Sequence, residues 1–167
     1  MEEMNDTYLL LGTNVGDRIK NLQLARNLLA TKAGNIIASS GIYKTAPWGN
    51  TDQADFFNQA VHLQTMMPAE TLMQEILNIE MEMGRERTLK NAPRIIDIDI
   101  LLFNDVITDL PHLHIPHALL HERKFALIPL QEIAGDLIHP VLNLSINQLS
   151  EDCKDELQVS LYQPKSD

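Results

Sequence analysis

The 167-residue chain is short of cysteine, of positive charge and of long apolar runs. A single cysteine, Cys153, excludes an internal disulfide and leaves neither a Cys-x-x-Cys pair nor Cys/His zinc spacing, which fits a reducing compartment. Lysine and arginine number 13 against 23 aspartates and glutamates, a formal net charge of −10. A field of that sign repels phosphate polymers and anionic membranes at long range, so any phosphate site must be locally basic. No stretch is long enough to span a bilayer, and the acidic start Met1-Glu2-Glu3-Met4-Asn5-Asp6 has no basic leader region. A cytoplasmic protein with no nucleic-acid or membrane partner is expected. Internal repeats, low-complexity tracts and linkers are missing, and the length suits one domain, with a core over 7–150 and a tail over 151–167.

What is present reads as alternating strands and helices. Tyr8 to Leu11 is expected as a buried strand that ends at Gly12, and Gly12-Thr13-Asn14-Val15-Gly16-Asp17 as a turn into a helix carrying Ile19, Leu22, Ala25, Leu28 and Leu29 on one face. Gly34 closes that helix. A second strand is expected over 36–44, then a long exposed loop over 45–55. The next segment, 56–65, alternates with Phe57, Val61 and Leu63 on one face and Phe56, Asn58, Ala60 and His62 on the other. Pro68 opens a helix with Leu72, Ile76, Ile79 and Met83 on its stripe, and Gly84 stops it. Beyond a second exposed stretch, 85–93, comes a strand whose turn at Asn104-Asp105 suggests a hairpin back into Val106-Ile107. A helix over 123–134 containing Pro129, a short helix capped by Ser145, and a tail alternating weakly at Leu157, Val159 and Leu161, either an edge strand or a frayed end, complete the reading. The mixture predicts an α+β sheet with packed helices rather than a doubly wound parallel sheet.

The chemistry concentrates in Pro93-Arg94-Ile95-Ile96-Asp97-Ile98-Asp99-Ile100-Leu101-Leu102-Phe103. Alternate residues of a strand share a face, so Asp97 and Asp99 point the same way, about 7 Å apart, while Ile96, Ile98 and Ile100 point the other. Two like charges on a half-buried sheet call for a cation between them, and hard divalent ions prefer such oxygens. The plainer alternative is a solvated edge strand with two surface aspartates. Just upstream, Arg85, Arg87, Lys90 and Arg94 put four cations into ten residues of an acidic chain. Guanidinium forks match phosphate oxygens, and Mg²⁺ commonly bridges carboxylates to phosphates, so the two motifs together predict a metal-bridged polyphosphate. The Gly12–Asp17 turn is neither a Walker A loop nor a Gly-x-Gly-x-x-Gly fingerprint. His112, His114, His117 and His121 crowd one segment and leave a zinc or iron site open as an alternative, although Pro116 interrupts regular ligand geometry. His117, beside Arg123 and Lys124, reads better as a phosphate donor.

These motifs, in order, resemble the 6-hydroxymethyl-7,8-dihydropterin pyrophosphokinases of the folate pathway. The resemblance runs from Leu11–Asp17 through Tyr43-Lys44-Thr45-Ala46-Pro47-Trp48-Gly49, Gln53, Asp55-Phe56 and Asn58. It continues through Glu80, Gly84–Arg87, Pro93–Asp99, Ile115-Pro116-His117, Arg123-Lys124-Phe125 and Pro129-Leu130. It implies a ferredoxin-like α+β sheet, two Mg²⁺ ions held by Asp97 and Asp99, ATP as co-substrate, a pterin substrate and a monomer. Arg85 and Arg94 would close on the triphosphate, with Glu80, Arg87, Ile100, His117 and Arg123 seating the nucleotide. The pterin would lie between Phe56 and Phe125, read by Asn58 and by groups around Thr45, Ala46 and Trp48. Two positions depart from the pattern: Asn91-Ala92 stands where many relatives carry an aromatic, and Ala118 where proline or tyrosine is common. A His/Asp metal-dependent hydrolase and a non-catalytic nucleotide- or pterin-binding module are the alternatives.

Overall fold

The computed structural model describes residues 4–46, 52–85 and 93–164. The first strand, β1 (Asn5–Thr13), is longer than the four apolar residues at its centre suggest, and it is an inner strand, one in from the β5 edge of the sheet. It runs antiparallel to β4 (Phe56–Thr65) on one side and to β5 (Asp97–Phe103) on the other. The outer edge of β4 carries two short strands, β2 (Asn35–Ser39) against its second half and β3 (Tyr43–Thr45) against its first. The single strand expected over 36–44 is therefore split. Ser40 breaks it by turning its own hydroxyl to Ala60 N–H and its N–H to Ala60 O, and Gly41 N–H is taken by Glu132. A last strand, β8 (Val159–Leu161), pairs with β3 and closes that edge, the first of the two readings the sequence leaves open for the tail.

Two helices cover one face. In α1 (Arg18–Lys32) the Asp17 side chain caps by accepting from Lys20 N–H at 3.1 Å, and Leu22, Ala25 and Leu29 are buried. Gly34 follows because a Cβ there would lie 2.1 Å from the Gln64 carbonyl. In α2 (Ala69–Glu82), Pro68 is the cap residue and Gly84, at φ +93, ends the run. Leu72, Ile76 and Ile79 interlock with Leu9, Leu11, Val61, Leu63, Ile98 and Ile100 in the larger core. The opposite face packs α3 (Lys124–Ala134) and α4 (Ile146–Asp152) over Leu10, Ala60, Leu101 and Leu102. Ser145 caps α4 through Gln148 N–H, as its sequence position predicts. The architecture is the expected α+β, a ferredoxin-like antiparallel sheet with helices on both sides.

The expected hairpin from β5 into Val106-Ile107 does not form. Asn104, at φ 49, binds back to β1, with Asn104 N–H on Asp6 O and Asp6 N–H on the Asn104 side chain, so the chain leaves the sheet there. It makes a separate two-stranded ribbon, β6 (Thr108–Leu110) with β7 (Leu113–Ile115), and returns through the cis Ile115–Pro116 peptide. His117 N–H then bonds Leu101 O at 3.0 Å, which brings the histidine alongside β5.

Candidate active site

The site grows from one row of the sheet. Gly12 of β1 faces Asn58 of β4 on one side and Asp97 of β5 on the other, so Asn58, Gly12 and Asp97 stand in line across three strands. A Cβ on Gly12 would lie 2.8 Å from Asn58 Oδ1, which shows that this face must stay open between the two polar side chains. Asp99 pairs with Leu10, two residues along β1, on the α3 side of the sheet. The expected geometry holds: Asp97 and Asp99 share a face and both line a cavity of about 240 Å³ with Met73, Glu80, Arg85, Arg94, Ile98, His117 and Arg123.

Charge governs this cavity. Glu80, almost fully buried at the end of α2, accepts from Ile98 N–H at 2.8 Å and from Arg85 Nη1 at 2.7 Å. Arg85 Nη1 also reaches Asp97 Oδ1 at 3.0 Å, and Arg94 Nη1 reaches Asp97 Oδ2 at 2.9 Å. Each oxygen of Asp97 thus carries a guanidinium. Asp99 has no such partner among the described hydrogen bonds, and burial, then the neighbouring Asp97 and Glu80 charges, push its carboxyl up to about 8 against the weaker pull of Arg123 and Arg85. Burial and the adjacent Arg123 hold the His117 imidazole below its usual range. Its Nδ1 accepts from Leu119 N–H at 3.2 Å, which leaves the ring proton on Nε2.

The second wall belongs to β3, β4 and the start of α3. Thr45 and Asn58 are buried and joined by Asn58 Nδ2 donating to Thr45 Oγ1 at 3.2 Å. Phe56 shares their face of β4 and is half-buried, as is Phe125 in the first turn of α3. Arg123, the residue before α3, lies with its guanidinium 5.6 Å from the Phe125 ring centre and also lines the acidic cavity. Ala46 follows β3 at the surface. Trp48 and Arg87 lie outside the described residues.

Ile100 buries its side chain in the core under α1 and α2, and Ile98, whose N–H is fixed by Glu80, borders the cavity. Alternation places both on the face away from the acids, and only backbone proximity distinguishes them. Two further residues escape the sequence reading. Met73 lines the cavity from α2, one position beyond the buried stripe. Asn14, at 4 % exposure, bridges the second wall to the first. Its side chain donates to Gln53 Oε1 at 2.7 Å and to Ala54 O at 3.1 Å, and accepts from Arg94 N–H at 2.8 Å. The signal for Asn14 is its place in the Gly12–Asp17 turn, which spacing alone gives no chemical role.

The donor set suits a hard cation shared with a phosphate. Two carboxylates offer oxygen, and among the described residues no three His, Cys, Asp or Glu side chains form a group able to hold a metal by themselves. Mg²⁺ ordinarily takes one or two carboxylates and completes its shell from phosphate and water. His112 and His114 are exposed, His114 pairing with Asp109 at 2.6 Å, and His121 lies 3.8 Å from Glu122. Those pairings give the His/Asp hydrolase alternative no metal site among the described residues.

The ferredoxin-like sheet thus sets carboxylates against arginines at one mouth, with an amide two strands away across Gly12 and two phenyl rings near it. Residues 8–135 match the family described as 7,8-dihydro-6-hydroxymethylpterin-pyrophosphokinase, and the chain belongs to that family. The 2-amino-4-hydroxy-6-hydroxymethyldihydropteridine pyrophosphokinase of Methylorubrum extorquens is 41% identical over 136 residues, covering 81% of this chain and 86% of that protein. That of Bacillus subtilis is 42% identical over 130 residues, covering 77% and 78%. The folic acid synthesis protein FOL1 of Dictyostelium discoideum is 38% identical over 145 residues, and the match covers 87% of this chain but only 22% of that longer protein. A crystal structure of Plasmodium falciparum HPPK-DHPS with pteroate superposes at a TM-score of 0.73 with 22% identity, covering 90% of this chain and 42% of that one, a likeness of fold.

Proposed function

We propose that this site moves a diphosphate from ATP to the hydroxymethyl group of 6-hydroxymethyl-7,8-dihydropterin, releasing AMP. The chain is by family a pyrophosphokinase, an ATP-dependent diphosphotransferase of folate synthesis. The observation that supports the assignment of its parts is the row Asn58, Gly12, Asp97, an amide and a carboxylate on one open face that suit a polar ring and a metal-bound phosphate. The pterin hydroxymethyl oxygen bonds to the β-phosphorus while the bond from that phosphorus to the α,β-bridging oxygen breaks, and AMP departs with that oxygen. Such transfer needs positioning and charge neutralisation more than a nucleophilic side chain.

In this reading Phe56 and Phe125 stack the pterin, and Asn58, Thr45, Ala46 and Trp48 read its edge. Glu80, Arg87, His117 and Arg123 seat the nucleotide. Arg85 and Arg94 leave Asp97 for the phosphates, so their charge is delivered where negative charge develops. Asp97 and Asp99 would hold Mg²⁺, two ions on the family pattern, which when bound would neutralise phosphate charge and polarise the reacting phosphoryl group. The donation from His117 Nε2 to a phosphate oxygen suits a neutral imidazole.

The test is the product. Protein with MgATP and the reduced hydroxymethylpterin should yield AMP in step with pterin diphosphate; ADP in its place rejects the reading, and binding of both ligands without turnover favours a non-catalytic module. Arg94→Ala should slow turnover by roughly 10²-fold, the scale of losing one preorganised transition-state donor.

A further inference from the structure

The tail beyond the family match makes contacts at both walls of the proposed pterin seat. The geometry points to residues 153–162, and Asp155 foremost, as a positioning strap for that seat, an inference that rests on the functional reading above. The helix α3 opens with Arg123 in the cap position and no capping side chain of its own. The acceptor comes instead from the tail: Asp155 Oδ2 takes Lys124 N–H at 3.2 Å, and Asp155 Oδ1 takes Leu157 N–H at 3.0 Å. One carboxylate therefore stitches the first peptide of α3 to the tail and puts negative charge at the positive end of the helix. The two side chains that flank Lys124 are Arg123, which lines the acidic cavity, and Phe125, the ring assigned to the pterin.

From there the tail crosses to the opposite wall. β8 pairs with β3 in the register Tyr43 with Leu161, Lys44 with Ser160 and Thr45 with Val159, and Thr45 is the acceptor that orients Asn58. Tyr162 N–H bonds Ile42 O at 2.7 Å, and its ring lies 4.8 Å from that of Phe57. A three-residue strand such as β3 would otherwise be a bare sheet edge, free to fray. A second tie, from Glu132 of α3 to Gly41 N–H at 2.9 Å and to the Tyr43 hydroxyl at 2.6 Å, holds β3 independently of the tail. That tie predicts that loosening the strap alters the seat without unfolding the domain.

The experiment uses the full chain, Asp155→Ala, Asp155→Asn and a chain ending at Leu157. Pterin binding is titrated on protein saturated with Mg²⁺ and α,β-methylene ATP, whose carbon bridge cannot be cleaved. Asp155→Ala should weaken pterin binding about tenfold, the scale of a lost helix cap, with a clearly smaller loss of nucleotide affinity through Arg123 beside the same cap. Asp155→Asn keeps an acceptor and should recover most of the loss; removing β8 should weaken pterin binding at least as much as Asp155→Ala. Unchanged pterin affinity in Asp155→Ala and in the shortened chain overturns the strap. So does an equal loss for pterin and nucleotide accompanied by a matching fall in Tm, which marks general destabilisation. Wild-type protein that neither binds pterin nor forms AMP fails the functional reading itself, and the strap with it; normal wild-type turnover beside unaffected variants fails the strap alone.

Discussion

Asp99 shows how far a single side chain can be held from its ordinary state. With its carboxyl raised to about 8, the folded metal-free protein keeps a proton there that the unfolded chain has already lost near pH 4. Between those values the folded state binds more protons than the unfolded one, so stability falls as pH rises through the window. Asp99→Asn keeps the shape and removes the ionisation. Melting followed from pH 5 to pH 8.5 without metal should show the wild type losing Tm toward alkaline pH and the variant holding level, with the variant the more stable at pH 8. The same variant should lose Mg²⁺-dependent ATP binding in a titration. A variant less stable than wild type at pH 8 would show that Asp99 is not a charge held at a cost in the resting site.

Among elements, β1 decides the most. Its Gly12 lies where any side chain would press on Asn58, and that amide is held on its other side by Thr45. Gly12→Ala is expected to leave Tm nearly unchanged, because the end of a side chain can shift, while raising KM for the pterin by about tenfold or more. Steady-state kinetics with each substrate varied in turn would check it, and an equal rise in KM for ATP would count against the assignment. The acid pair of β5 was legible because a period of two fixes which residues share a face, and the β4 faces followed from the same rule. That rule does not separate Ile98 from Ile100, which differ in the reach of Glu80 from α2. The split of 36–44 and the lost hairpin at Asn104 share a cause: both depend on hydrogen bonds to residues far along the chain, Ala60 and Glu132 in one case and Asp6 in the other. Local pattern carries no trace of such partners.

At the scale of the molecule, order decreases outward from β1 and β4. Leu9, Leu11, Val61 and Leu63 are fully buried between neighbours on both sides, whereas β6 and β7 form a two-stranded ribbon apart from the main sheet. Hydrogen exchange should therefore find the amides of 9–11 and 60–63 the slowest and those of the more exposed 108–110 among the fastest of the strand residues. Fast exchange in β1 would contradict this order. The −10 net charge was legible from composition and says little about the site, where Arg85, Arg94 and Arg123 face Glu80, Asp97 and Asp99. The run from Arg85 to Arg94 is legible beside the acids; what the fold adds is Arg123, brought from the start of α3 to the same mouth.

Because Asn58 and Asp97 are two rungs apart with Gly12 between them, about 10 Å of backbone lattice sets the spacing of the two seats. On the proposed reading, side-chain changes can alter how firmly each molecule is gripped, yet the gauge between them is cut into the inner strand β1. Only an inserted or deleted residue in that strand, shifting one rung against the next, could reset the distance the transferred group must bridge.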